Sequence, residues 1–523
     1  MNKYFPKFLK LNKKIIFPHK KINKNILLVD RGRFNAAYLC SLAASIINKE
    51  KKMNVIVLTD DKNADMKNFY KSFGVEKFIT GFNYIFALKN FLISIYSLIL
   101  TFKYLIKLRK NNFLWFIDNL KIQNIKIGEL IYDSYIRYNQ KYINPKIDLE
   151  FTNILFKAVF RTLIILKYIK KYSIQIILVG TSCGTNNNGI SIKIGAKKKL
   201  KVLEPQPNRV RVYNQGSINN GLEEILSFNL KKLMIKKYNI DKINVFLKKR
   251  IKGEVKTDYT GTRDIFYSNK KKLFINKNQF LKKLNVKSNN IKKIVLVAPH
   301  TFSDFCHGEG MFIFTDYYSH FKLTLEYINK KKFNNILWIV RPHPTGKFYG
   351  EKGIAESLVK KYNKENIKLC PKNLSTDIVL DLCDNVITGR GTIAMEFACK
   401  GKYPITAGPS NYSGYGFTID SKTQNEYFKS IDRIINLPKL TKNQINKAKK
   451  LLFLLENRNQ FRSSQIVKDV YDIGRSKQNT KFFKKLYQTE NFFNKNLIDN
   501  MKSINPVEDI YFSGLRANLK NLF

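Results

Sequence analysis

The chain has 523 residues, 44% hydrophobic and 25% charged, with 94 Lys and Arg against 39 Asp and Glu for a formal net charge of +55. That apolar content excludes a disordered chain, and the length allows at least two domains with cores of their own. The cation excess comes without zinc-finger spacing, an RNA-binding signature or a concentrated arginine patch, which argues against nucleic acid as a partner.

Two readings of the charge stay open. In one, suggested by the wealth of Asn, Ile, Tyr and Phe, lysine accumulates on solvated faces through an AT-rich genome; in the other it attracts an anionic membrane surface or acidic substrate. The N-terminal MNKYFPKFLKLNKKIIFPHKK is basic but lacks the apolar core and cleavage site of a secretory signal. Cys40, Cys183, Cys306, Cys370, Cys383 and Cys399 form no CxxC pair. A reducing cytoplasm is therefore the expected compartment, with neither a disulfide framework nor a zinc knuckle.

In chain order, Asn25 to Asp30 (NILLVD) reads as a buried strand, followed by Arg31-Gly32-Arg33, a helix to about Glu50 and a strand from Asn54 to Thr59. Strand, helix, strand at this spacing opens a right-handed parallel βα domain. Helical periodicity spans Phe82 to Leu108 and Leu149 to Lys171. Within the first of these, the apolar run Phe91 to Phe102 stops at Lys103, which is too short to span a bilayer. It reads as a buried helix or as an amphipathic helix resting on the inner membrane face. Ile174 to Gly180 is a strand that runs into the loop Thr181 to Gly189. A helix near Ile190 to Lys198 and a strand from Leu200 to Glu204 follow.

Residues 219–290 read as a helical, lysine-rich interdomain region. A second α/β run begins at Lys292 to Pro299 and continues through helix Thr315 to Lys331, strand Asn335 to Val340, helix Glu351 to Tyr362 and a short strand near Ile367. Ser375 to Leu382 is a short helix, and Asp384 to Thr388, Thr392 to Lys400 and Tyr403 to Thr406 make one βαβ unit. Helices from Asn425 to about Gly474 close the domain. The expected organisation is α/β, with two Rossmann-like domains facing a cleft: 1–218, the 219–290 region, 291–476, and a basic tail 477–523.

Four loops of the second domain carry candidate chemistry. Gly389 and Gly391 bracket a turn (Thr388, Gly389, Arg390, Gly391, Thr392) at a helix start, where free N–H groups attract phosphate. Glu396 lies one turn further along, within reach of a sugar hydroxyl, and Tyr412-Ser413-Gly414 opens a second glycine loop. Arg341-Pro342-His343-Pro344 leaves a strand directly, with Lys347 following. The prolines stiffen it, and three potential cations suit a phosphate or carboxylate.

The fourth loop, Pro299 to Gly310, gathers His300, Asp304, His307 and Glu309. These could meet a donor, cap backbone or hold a divalent metal, although the spacing matches no established metal motif, and no metal is expected. A proton acceptor for a sugar-acceptor hydroxyl is sought among Asp30, Asp304 and His300. Lys126 to Tyr138, with its tyrosines and Arg137, reads as an acceptor groove or as an ordinary charged helix.

PHTFSD, RPHP, TGRGTIAMEFACKGKYPITAG and YSGYGFT, between about Lys292 and Phe428, resemble the capsule polysaccharide biosynthesis proteins of bacteria, a group containing Kdo-transferase-like GT-B enzymes. The resemblance implies that His343, Pro344, Gly391, Thr392 and Glu396 mark the donor-nucleotide side. It implies transfer of a sugar from a nucleotide-sugar donor, CMP- or UDP-linked, to a glycan or glycolipid acceptor of the cell surface, without a further cofactor. The expected place is the cytoplasm, at the inner membrane surface. A nucleotide-sugar 2-epimerase, a polyol-phosphate transferase and a non-catalytic scaffold are the alternatives.

Overall fold

Strands apolar on both faces dominate both sheets. NILLV (Asn25–Val29) and ILWIV (Ile336–Val340) are buried at every position, a pattern that requires helices on both sides of a parallel sheet. The computed structural model describes residues 3–12, 16–19, 23–60, 64–80, 88–137, 140–180, 187–206, 209–215, 222–224, 234, 239–252, 275–286, 290–308, 312–362, 366–371 and 374–457. They form two compact units. Described residues up to 135 and from 146 to 224 make the first; residues 136–145 and those from 234 to 457 make the second.

The first unit holds β1 (Asn25–Val29), β2 (Asn54–Leu58), β3 (Lys77–Ile79), a small hairpin of β4 (Lys121–Ile122) and β5 (Ile125–Lys126), then β6 (Ile174–Val179), β7 (Lys201–Gln206), β8 (Arg209–Gln215) and β9 (Leu222–Glu224). Its seven-stranded sheet has the order β3-β2-β1-β6-β7-β8-β9. It is parallel as far as β7, and β8 and β9 add an antiparallel edge. Helices Phe34–Lys51 and Ala64–Ser72 cover one face with Tyr38, Phe69 and Tyr70, all fully buried.

The second unit holds β10 (Lys293–Ala298), β11 (Ile336–Val340), β12 (Ile367–Leu369), β13 (Asn385–Thr388), β14 (Pro404–Thr406) and β15 (Ile419–Asp420). All six are parallel, in the order β12-β11-β10-β13-β14-β15. The chain runs outward from β10 to β12, returns, and continues outward on the other side from β13. The order therefore reverses between β10 and β13, where Ala298 pairs with Thr388 at the carboxyl ends. Asp384 fixes this pairing at its other end, its carboxylate accepting from the Ile294 N–H at 2.8 Å. Asp316, fully buried, caps the helix Tyr317–Lys331 by accepting from the Ser319 N–H.

The α/β class expected from the sequence is the class found, and the regular strands fall within a residue or two of their expected ends. β8, seven residues long, lies where no strand was expected, and the other exceptions are short. β3, the β4–β5 hairpin and β9 have two or three residues each, too few to show a period. In the 219–290 region, helices Ile240–Lys252 and Lys277–Lys283 belong to the second unit, while strand β9 belongs to the first sheet. The basic tail 477–523 lies outside the described residues. The apolar run Phe91 to Phe102 lies in a 19-residue helix that continues past Lys103 through Tyr104 to Ile106 and ends at Arg109, one residue beyond the expected Leu108. By length and composition alone it is long and apolar enough to cross a membrane.

Candidate functional site

β10 ends at Ala298, and the chain leaves it as Pro299-His300-Thr301-Phe302-Ser303. The His300 ring stacks on Tyr317 at 4.4 Å between centroids and on His343 at 5.2 Å. His343 follows β11 on the neighbouring strand. Its Nδ1 lies 2.9 Å from the Thr301 hydroxyl and 2.7 Å from that of Thr345, and the two hydroxyls are 3.2 Å apart. Burial, then the neighbouring His300, push His343 down to about 3. The imidazole is neutral near pH 7, so it is a dipolar hydrogen-bonding group rather than the cation that the RPHP motif suggested.

A carboxylate that the sequence did not single out joins the two loops. Glu351, nearly buried, accepts from the backbone N–H groups of Phe302 (3.0 Å) and Ser303 (2.8 Å) and from the Ser303 hydroxyl (2.8 Å). Burial raises its pKa despite these donors. Arg137, from the segment 136–145 of the second unit, donates to the Ser303 carbonyl at 2.9 Å. Its guanidinium lies over the rings of Phe305 (5.0 Å) and Tyr349 (4.6 Å).

Asp304 is half exposed, with one carboxylate oxygen 3.5 Å from Arg137 Nη1 and the other 3.8 Å from His300 Nδ1. His307 is buried, its Nδ1 3.2 Å from the Cys306 sulfur. Glu309 lies outside the described residues.

Across the order reversal, β13 delivers the glycine turn. Thr388 is buried, and Gly389 sits so close to Tyr317 that a Cβ there would meet the ring at 3.0 Å. The same tyrosine thus packs against both His300 and Gly389. Gly408, after β14, leaves still less room: a Cβ would lie 2.6 Å from Phe312 and 2.8 Å from Arg390 Nη2. Tyr412, buried, donates its hydroxyl proton to the Gly391 carbonyl at 2.8 Å and ties the second glycine loop to the first.

That loop is internally braced. Ser413 Oγ accepts from the Ser410 N–H at 3.1 Å, and the Gly414 N–H donates to Asp420 at 2.8 Å. Gly414 has φ +80°, in the left-handed region that glycine tolerates best.

The remaining expected residues divide. Thr392 is exposed, and its side chain makes no cap hydrogen bond to the seven-residue helix Ile393–Cys399. Lys347 is exposed in the turn Gly346–Tyr349. Arg341 donates to the Leu374 carbonyl at 3.2 Å, holding the start of the helix Thr376–Leu382. Arg390 is buried, its guanidinium 5.3 Å from the Phe312 ring centre.

Glu396 is also buried and pairs with Arg250 at 3.2 Å. Its carboxylate points to an ion pair rather than to a ribose or sugar. Asp30 belongs to the first unit, where its carboxylate accepts from the Gly32 N–H (3.0 Å), the Thr59 hydroxyl (2.9 Å) and the Tyr70 hydroxyl (2.9 Å). Three donors around a buried carboxylate suit an organiser of the strand end better than a base.

No protein-family model matches the chain, and no curated protein matches it. Solved structures do. KpsC of Thermosulfurimonas dismutans, a β-Kdo 2,4 transferase, is similar at 13% identity and a TM-score of 0.33, over 53% of this chain and 79% of that one. The UDP-GlcNAc 2-epimerase of Neisseria meningitidis, solved with UDP-GlcNAc, is similar at 12% identity and a TM-score of 0.24, over 83% of this chain and 100% of that one. Anabaena Alr3699/HepE, solved with UDP and glucose, is similar at 10% identity and a TM-score of 0.26, over 87% and 99%. At these identities and scores, none of the three assigns an activity or a site to this chain.

Glu351, Tyr317, Phe312 and Thr345 are the site residues that the motifs missed. Glu351 read as a helix start, Tyr317 fell within the expected helix Thr315 to Lys331, and Phe312 and Thr345 were not singled out. Only their neighbours in space distinguish them.

Proposed function

We propose that the second unit binds a nucleotide-sugar donor at the carboxyl ends of β10, β11, β13 and β14, and that the protein is a glycosyltransferase building a surface polysaccharide. One observation carries the reading: the strand order reverses between His300 and the Gly389–Thr392 turn, the place where open α/β sheets take ligands. The loops there are joined by Glu351, Tyr317 and Tyr412 into a braced floor.

The donor phosphate would lie along the Gly389–Thr392 turn, near the Thr392 hydroxyl, with Lys347 supplying positive charge. When His343 Nδ1 accepts a hydroxyl proton from Thr301 or Thr345, the ring's own proton sits on Nε2. The imidazole is then a neutral donor toward phosphate oxygen. Fixed donors aimed at charge that develops on a leaving group do most when they need no reorganisation, and the hydroxyl pair supplies that rigidity. Asp304 and His300, neighbours on one loop, are the pair from which a base for the acceptor hydroxyl would come.

The test is direct. Purified full-length protein is screened by thermal shift against CMP- and UDP-sugars, and the stabilising donor is offered with glycan or glycolipid acceptors for labelled-sugar incorporation. A rise in melting temperature with one donor, incorporation into glycan, and loss of both with His343→Ala support the reading. Conversion of the donor with no acceptor present would mark an epimerase instead. Absence of any nucleotide binding would reject a donor site here.

A further inference from the structure

We propose that the helix Phe91–Arg109 docks the first unit flat on the surface of an anionic lipid bilayer. This goes beyond the donor-site reading and does not depend on it. The helix is turned the opposite way from an ordinary surface helix, which puts its apolar stripe toward the core. Its inward face, packed along the helix Leu149–Lys171, carries Ser94, Ser97 and Thr101, exposed by only 0%, 0% and 2%. Their hydroxyls are satisfied within the helix, donating to the carbonyls of Asn90 (3.1 Å), Ile93 (2.6 Å) and Ser97 (2.7 Å). Back-bonding of this kind gives a buried hydroxyl an acceptor on its own helix.

The outward face is the greasy one. Leu92 is 80% exposed, Ile95 39%, Tyr96 48%, Ile99 57%, Phe102 62% and Ile106 56%. Single exposed apolar residues need no explanation, but a continuous stripe over successive turns marks an interaction surface.

Charge selects the occupant. From Leu88 to Ile117 there is no Asp or Glu, while Lys103, Lys107, Arg109 and Lys110 are exposed along the last turns. A second copy would bring the same cations to the interface, whereas anionic headgroups complement them. Lysine stems can lie along the acyl boundary with their ammonium groups in the headgroup layer.

Nineteen residues could also cross a bilayer, at about 1.5 Å per residue. Crossing would strip the helix from its packing, however. Lys167 Nζ lies 3.4 Å from the Asn90 side chain near its start, and the Tyr104 hydroxyl donates to the Lys121 carbonyl at 2.8 Å near its end. Held on both ends, the helix offers one face only.

Flotation of the full chain with vesicles tests the proposal, using phosphatidylcholine alone and an equal mixture with phosphatidylglycerol. The protein should float with the mixed vesicles and far less with the neutral ones, and salt should weaken the binding. Ile99→Glu combined with Phe102→Glu should reduce bound protein by about tenfold or more. Lys103→Glu combined with Lys107→Glu should abolish the preference for anionic lipid. All four positions are exposed, so the melting temperature should hold.

Equal flotation of wild type and the Ile99/Phe102 variant overturns the proposal, as does absence of vesicle binding. A concentration-dependent dimer that the same variant dissolves, without vesicle binding, would assign the stripe to self-association. Nucleotide binding is measured on the same samples, so loss of vesicle binding with donor binding intact rejects this proposal alone.

Discussion

Ser303 donates twice to one carboxylate oxygen of Glu351, from its backbone nitrogen and from its hydroxyl, both at 2.8 Å. The other oxygen accepts from Phe302 at 3.0 Å. Through these three bonds the loop after β11 shapes the loop after β10, and the ring stack of His300 on His343 depends on both staying in place. Glu351→Ala leaves two buried N–H groups without acceptors, at about 1–3 kcal/mol each for an unmet buried donor. Chemical denaturation should show a loss of that order, and nucleotide affinity should fall with it. Glu351→Gln keeps one carbonyl acceptor and should lie between. The pH response has a defined sign. A carboxyl raised by burial stabilises the fold most below its unfolded pKa, and that contribution is lost as pH rises through the folded value. Wild type should therefore lose stability relative to Glu351→Gln as pH climbs out of the acid range.

Glu396 and Arg250 offer a sharper separation of structural from functional roles. Both side chains are almost fully buried and meet at 3.2 Å. Breaking a buried pair by removing one partner costs about 3–5 kcal/mol, because the other charge stays behind. Arg250→Ala and Glu396→Ala should each lower the unfolding free energy by that order, and the double variant should lose less than the sum. A Glu396→Ala protein with normal stability but a raised KM for donor would instead place this carboxylate on substrate.

Two neutral imidazoles, His320 buried and His343 half-buried, make the second unit sensitive to acid. His320, whose Nε2 lies 2.8 Å from the Tyr427 hydroxyl, is pushed down to about 3 by burial. His343 is pushed to a similar value by burial and by His300. A histidine depressed on folding contributes stability that is present above its unfolded pKa of about 6.5 and lost as pH falls toward the folded value. Unfolding free energy measured from pH 7 downward should decline before the carboxylates titrate. His320→Gln should flatten part of that decline, and an unchanged slope would show that His320 is not neutral in the native state.

Gly408 is a steric test of the floor. A Cβ there would meet Phe312 at 2.6 Å and Arg390 at 2.8 Å, and overpacking of this kind costs about 1–3 kcal/mol. Gly408→Ala should melt earlier and bind nucleotide less tightly, whereas Gly414→Ala, with open space around its Cβ, should suffer only from its positive φ.

Sequence alone determined the α/β class, the β10-to-β14 strand boundaries and the four loops on which a site would be sought. Buried parallel strands announce themselves as unbroken Ile, Leu and Val, and glycine and proline mark where the chain must turn. What those loops do with their side chains was decided by tertiary structure. Arg341, His343 and Lys347 read as three potential cations until partial burial beside Thr301, Thr345 and His300 made His343 neutral. Glu396 read as a sugar ligand until Arg250, 146 residues earlier in the chain, claimed it. Glu351 gave no signal, because its partners are 48 and 49 residues away. A residue's type and its neighbours in sequence set its local conformation, but its protonation and its partners follow from the dielectric and the donors around it, and these exist only once distant segments have packed together.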